Sequence, residues 1–247
     1  MCWADLEKLE RPCLWQLCAQ VCWIQLGWFC RRGTDIRTSW KAWRILSYLG
    51  KDPKTGALIF SYLPNGTVGT FLMHRANTSW ELRLRWIHQI AEGLAYLHSH
   101  NIVWVDYHLN NALLTDNFDV VLSGWFAYQF SAPIYTTPGM LLPPISSRAR
   151  HAVPVYDIFA FGTCLFILVE LRIPHQCHPY STDHGITFDG LSSIEKRHIV
   201  GDFDTLTSEK FLRLADVVQG CWKSRYASIE QVVEILQLCN ASCLTKW

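Results

Sequence analysis

Three polar side chains with chemical potential interrupt one apolar stretch of this chain. They are Asp106, His108 and Asn111, set in Ile102-Val103-Trp104-Val105-Asp106-Tyr107-His108-Leu109-Asn110-Asn111-Ala112-Leu113-Leu114. A carboxylate can accept a proton, an imidazole can give or take one, and an amide oxygen is a hydrogen-bond acceptor. His108 is largely neutral at neutral pH unless a neighbour stabilises its charged form. Asp106 has an equally good structural reading, as a loop acid that bonds backbone amides and shapes a turn. Elsewhere, Cys18 and Cys22 lie one helical turn apart, and His175, Cys177, His178 and His184 cluster in sequence. Neither group has the ligand spacing of a zinc site.

The elements around the three residues can be read from periodicity. The polar turn Thr115-Asp116-Asn117 separates the first apolar run from a second, Phe118 to Phe126, which predicts a hairpin. Upstream, Thr78-Ser79-Trp80-Glu81 has capping-box register, with Thr78 predicted to bond the amide of Glu81. Behind it Leu82, Trp86, Ile90, Leu94 and Leu97 recur on one helical face. His98 and His100 stand near that helix's carboxyl end, where the helix dipole favours them. Further upstream, 45–50 and 57–63 read as paired strands joined by a turn at 51–56. Downstream, an apolar run ends at Pro174, and 174–201 reads as loop and short helix. Two helices close the chain, 209–222 and 228–238, the second with Ser228 and Gln231 in capping-box register.

Composition narrows the class. The chain has 247 residues, half of them hydrophobic, with net charge +1, enough to bury a substantial core and without the basic excess that nucleic acid requires. Ten cysteines scattered through apolar runs read as reduced thiols packed as small hydrophobes, which implies a reducing compartment and a cytoplasmic location. Residues 13–29 are the most apolar block, but Gln16, Gln20 and Gln25 interrupt it and acids precede it, so it is neither a signal peptide nor a good membrane span. A packed amphipathic helix is the preferred reading, and interfacial membrane contact by 13–29 is the alternative.

The Asp106-to-Asn111 spacing followed by a hairpin resembles the protein-kinase catalytic loop, H-R-D-L-x-x-x-N, and the strand pair that delivers D-F-G. Tyr156-Asp157-Ile158-Phe159-Ala160-Phe161-Gly162 resembles the D-x-x-x-x-G start of the central kinase helix. Leu142-Pro143-Pro144 falls where A-P-E is expected, and Arg225 where that glutamate's arginine partner is expected. The resemblance spans about 45–238. It implies an α+β, protein-kinase-like fold with a mainly helical C-lobe and a reduced N-lobe. The implied organisation is a degenerate N-terminal region at 1–44, the kinase-like domain at 45–240 and a tail at 241–247.

The resemblance also implies roles. Asp106 takes the catalytic-base position, Asn111 the magnesium-ligand position, and His108 the position of the lysine that touches the γ-phosphate. Phe60 stands as gatekeeper, Ser61 and Leu63 offer backbone groups to an adenine edge, and Leu113 floors the base. ATP and magnesium are the implied cofactors, and Asp157 is expected to hold the catalytic-loop backbone. The departures are as informative. Trp104 and Val105 replace the His and Arg, and Gly124-Trp125-Phe126 replaces D-F-G. No glycine-rich hairpin exists, Gly27 and Gly33 being too far apart, and Lys41 has no assignable glutamate partner. The expectation is a catalytically impaired member acting by protein binding or scaffolding. The alternatives are a weak Ser/Thr kinase using Asp106 and Asn111, and a truncated gene product without independent function.

Overall fold

In the computed structural model the described residues are 44–75, 77–104, 108–123, 128–129, 153–176, 194, 196–207 and 211–243. The apolar block at 13–29, Lys41, Asp106, Gly124, the 142–144 segment, Cys177, His178 and His184 lie outside them. Among the described residues, no helix is long and apolar enough to cross a membrane.

A helix hydrophobic on every face can only be satisfied inside a core. Helix α3, Val155–Glu170, is that helix: every residue from Tyr156 to Val169 is buried. The longer α2, Trp80–Ser99, instead buries a stripe containing Trp86, Ile90, Leu94 and Leu97. Its cap is one residue later than the sequence pattern predicts. Ser79 accepts the amide of Leu82, whereas the Thr78 hydroxyl donates to the Arg75 carbonyl at 2.7 Å and closes the preceding turn. The carboxyl end of α3 stops at Leu171 in a left-handed conformation. Arg83 reaches across from α2 and donates to the carbonyls of Leu168 and Val169 at 2.6 and 2.9 Å.

Helix α4, Leu212–Trp222, crosses α3 closely because residue 162 is glycine. A Cβ there would sit 2.6 Å from the Cβ of Cys221. Gly162→Ala is therefore expected to lower stability by about 1–3 kcal/mol, the range for overpacked cores, read as a shift in the urea unfolding midpoint. Helix α5, Ile229–Cys243, closes the chain and runs past the predicted end at Leu238. Gln231 accepts the Ala227 amide at 2.9 Å, not that of Ser228 as the capping-box register predicts.

The strands are short. β1, Tyr48–Lys51, pairs antiparallel with β2, Leu58–Phe60, a smaller hairpin than predicted. Asp52 shapes its turn by accepting the amides of Lys54 and Thr55, both at 2.8 Å. Ile45, predicted as strand, instead bridges Leu122 in parallel. Its neighbours hold it there, through Leu122 N–H to the Arg44 carbonyl at 2.7 Å and Leu46 N–H to the Leu122 carbonyl at 2.9 Å. β3, Ile102–Val103, pairs with β6, Tyr128–Gln129, and β4, Ala112–Leu114, pairs with β5, Val120–Leu122. The sequence reading missed one helix, α1, Val68–His74, which follows the β2 exit. Its Thr67 and Thr70 cap each other reciprocally.

The lower core holds a histidine that resists protonation. His198 is 1% exposed, and among the described residues neither ring nitrogen has a partner. Phe203, Phe159 and Trp222 surround the ring at 5.2, 5.4 and 5.5 Å, with His175 at 6.0 Å. Burial foremost, then the neighbouring His175, bring its pKa down to about 4 against the opposing pull of Asp202. The unfolded chain protonates this residue near its ordinary pKa of about 6.5. Between those values the unfolded state binds more protons, so stability falls as pH is lowered through the window. Relative to His198→Phe, the wild-type chain should lose about 2 kcal/mol from neutral pH to about pH 5, measured by urea titration at each pH.

Candidate active site

The site is assembled around Asp157, which is fully buried on the first turn of α3. Its Oδ2 accepts the Trp104 amide at 2.7 Å and lies 2.8 Å from His98 Nε2. One carboxylate thus ties together the end of α2, the strand leading into the loop, and the core helix. The sequence assigned Asp157 to the loop backbone, and Trp104 is the residue it holds. For His98 the helix-dipole argument is the lesser part: its ring is buried against Asp157.

Beyond Trp104, Asp106 lies outside the described residues. The chain is described again at His108, which caps the 3-10 turn Leu109–Asn111. Leu109 is buried and anchors the turn. His108 Nδ1 accepts the Asn110 amide at 3.2 Å, and the Asn111 side-chain amide is 3.3 Å from His108 Nε2. The Asn111 carbonyl accepts both the amide and the hydroxyl of Ser123, at 2.8 and 3.2 Å. That pair of bonds fixes the end of β5 to the loop, so His108 and Asn111 share one small polar surface.

The remaining predicted residues lie on the strand side. Phe60 is half-buried with its ring 5.7 Å from that of Tyr48. Ser61 N–H donates to the Ser47 carbonyl at 3.0 Å. Among the described residues the Ser61 carbonyl and the Leu63 amide make no hydrogen bond, so both stay available to an external edge. Past them the chain zips onto β4, through Leu114 N–H to the Gly66 carbonyl at 2.9 Å and Asn65 Nδ2 to the Thr115 carbonyl at 2.8 Å. Leu113 is half-buried between buried Ala112 and Leu114, on the opposite face of the strand.

Among the described residues, the side chains on the metal side of the site do not make up a magnesium site. Magnesium demands hard oxygen donors in near-octahedral array. Asp119 is held by α2 instead: its Oδ1 accepts Gln89 Nε2 at 2.6 Å and lies 3.6 Å from Arg85 Nε. Asp116 is exposed in the turn. Among the described residues no group of three or more His, Cys, Asp or Glu side chains could hold a metal ion. Gly124, which the kinase resemblance would place at the metal-carboxylate position, has no side-chain donor.

Residues 39–237 match the family described as protein tyrosine and serine/threonine kinase. This chain belongs to the protein kinase family. Among curated relatives, U-box domain-containing protein 33 of Arabidopsis thaliana is 27% identical over 199 residues, covering 73% of this chain and 23% of the relative. Serine/threonine-protein kinase PLK4 of Drosophila yakuba is 31% identical over 127 residues, covering 48% of this chain and 16% of the relative. The chain therefore spans less than a quarter of the length of either relative.

Two features of this kinase-family domain escaped the sequence reading. Arg44 packs against α2 with its Nε 3.1 Å from Glu92 Oε2, an ion pair with no local signal because the partners are 48 positions apart. Arg225, where the family has an arginine that pairs with the A-P-E glutamate, donates through Nη2 to the Asp216 carbonyl at 3.0 Å. A side chain expected to have lost its partner thus contacts the backbone of α4.

Proposed function

We propose that this kinase-family domain does not transfer phosphate at a useful rate and acts by binding protein partners as a scaffold in signalling. The observation that carries the reading is that, among the described residues, no cluster of acidic side chains able to hold a metal lies at Asn111. Gly124 stands at the family's metal-carboxylate position, and Asp119 is engaged by Gln89 and Arg85. Phosphoryl transfer depends on charge neutralisation and alignment rather than on covalent help from the protein. Removing one preorganised stabilising group typically raises a barrier by about 2.7–4 kcal/mol. Here the metal carboxylate, the phosphate-facing lysine of the loop and the glycine-rich hairpin are all absent from the sequence. What the resemblance leaves is a base edge assigned to Ser61, Leu63 and Leu113, without the groups that would hold a triphosphate. A cytoplasmic location belongs to the same proposal, supported by the buried thiols of Cys164 and Cys221, which form no disulfide, the latter pushed well above the ordinary thiol range by burial.

Thermal unfolding with and without millimolar Mg-ATP tests the reading. A ligand that binds the native state raises stability by mass action, about 2.7 kcal/mol at a hundredfold excess over its dissociation constant. The expected result is an unchanged midpoint. A magnesium-dependent rise, together with phosphate incorporation abolished in Asp106→Ala, would establish the weak-kinase alternative.

A further inference from the structure

The contacts of His108 determine which atom of Asn111 faces it. A backbone amide can only donate, so the His108 Nδ1 that receives the Asn110 N–H at 3.2 Å carries no proton. A neutral imidazole has one N–H, which therefore lies on Nε2. Nε2 then cannot accept from the Asn111 amide nitrogen beside it at 3.3 Å. A half-turn of the Asn111 amide resolves the conflict by exchanging its oxygen and nitrogen, which have nearly the same shape. Nε2–H then donates and Oδ1 accepts.

We propose that His108 is a positioning residue that keeps Asn111 Oδ1 occupied, so that the loop itself fills the oxygen through which Asn111 would meet a cation. The carbonyl oxygen retains a second lone pair, but a divalent ion there would face the positive end of the Nε2–H dipole at close range. The turn Leu109–Asn111 holds the pair in register: His108 caps it, buried Leu109 anchors it, and Ser123 grips the Asn111 carbonyl. The inference rests on the reading that the loop does not hold metal-bound triphosphate, and supplies a local cause for it within the loop.

Two measurements on the whole chain test the pair without nucleotide, so their outcome is independent of the Mg-ATP titration. A long-range nitrogen–proton correlation spectrum of the His108 ring should report the Nε2-protonated neutral tautomer; the Nδ1-protonated form would overturn the proposal. Manganese is then added as a paramagnetic probe while the Asn111 side-chain amide signals are followed. They should stay sharp in the wild type and broaden in His108→Ala. His108→Asn, which keeps a side-chain acceptor for the Asn110 amide, serves as a second variant in case the alanine protein does not fold. Identical behaviour of wild type and variant, whether both broaden or neither does, would show that His108 does not control Asn111.

Discussion

Asp157→Ala should be the most damaging polar substitution in this domain, lowering stability by about 3–5 kcal/mol, the range for removing one partner of a buried charged or strongly hydrogen-bonded pair. Asp157 has no exposed surface, and its Oδ2 receives the Trp104 amide while lying 2.8 Å from His98. Alanine would leave the Trp104 N–H without this acceptor in a space closed to water, and an unsatisfied buried donor itself costs about 1–3 kcal/mol. The loss should be read as a fall in urea midpoint with unchanged slope. Asp157→Asn retains an acceptor oxygen and should lose less. Equal stability of the alanine variant and the wild type would mean that the loop is held by other contacts. The functional consequence follows from position, since the segment Asp157 restrains leads directly into Asp106 and His108.

Trp222→Ala should have a comparable effect, about 3–5 kcal/mol, for an apolar reason. The indole is 1% exposed and stacks on Phe203 at 5.7 Å, with Phe166 at 5.6 Å and the His198 ring at 5.5 Å. Its Nε1–H donates to Thr163 Oγ1 at 3.0 Å on the core helix. Truncation removes the largest side chain at the crossing of α3 and α4 and leaves a cavity that close-packed helices cannot fill. Trp222→Phe keeps most of the volume and isolates the lost hydrogen bond, worth about 1 kcal/mol. A loss in the alanine variant no larger than in the phenylalanine variant would show that the site collapses around the gap.

Local pattern accounts for what was legible beforehand. The stripe from Leu82 to Leu97 repeats within single helical turns, so α2 could be placed from the chain alone. The helix after Asp157 was expected from the kinase resemblance, and the structure buries every residue from Tyr156 to Val169. The cap of α2 slipped by one residue because Thr78 and Ser79 carry competing hydroxyls, and only the preceding turn decides which one faces the helix amides. Helix α1 was missed because Thr70 stands at the position where a capping box carries Glu or Gln.

The sequence by itself determined the kinase resemblance, the amphipathic stripe of α2 and the absence of a side chain at residue 124, all matters of residue type and spacing along the chain. Tertiary structure alone decided which polar groups share desolvated space. His98 meets Asp157 across 59 positions, and Asp119 turns to Gln89 across 30. Those choices depend on where packed helices bring distant segments together, because a buried polar group takes whatever partner lies within hydrogen-bond reach. Periodicity encodes which face of a helix is buried, but not what that face meets.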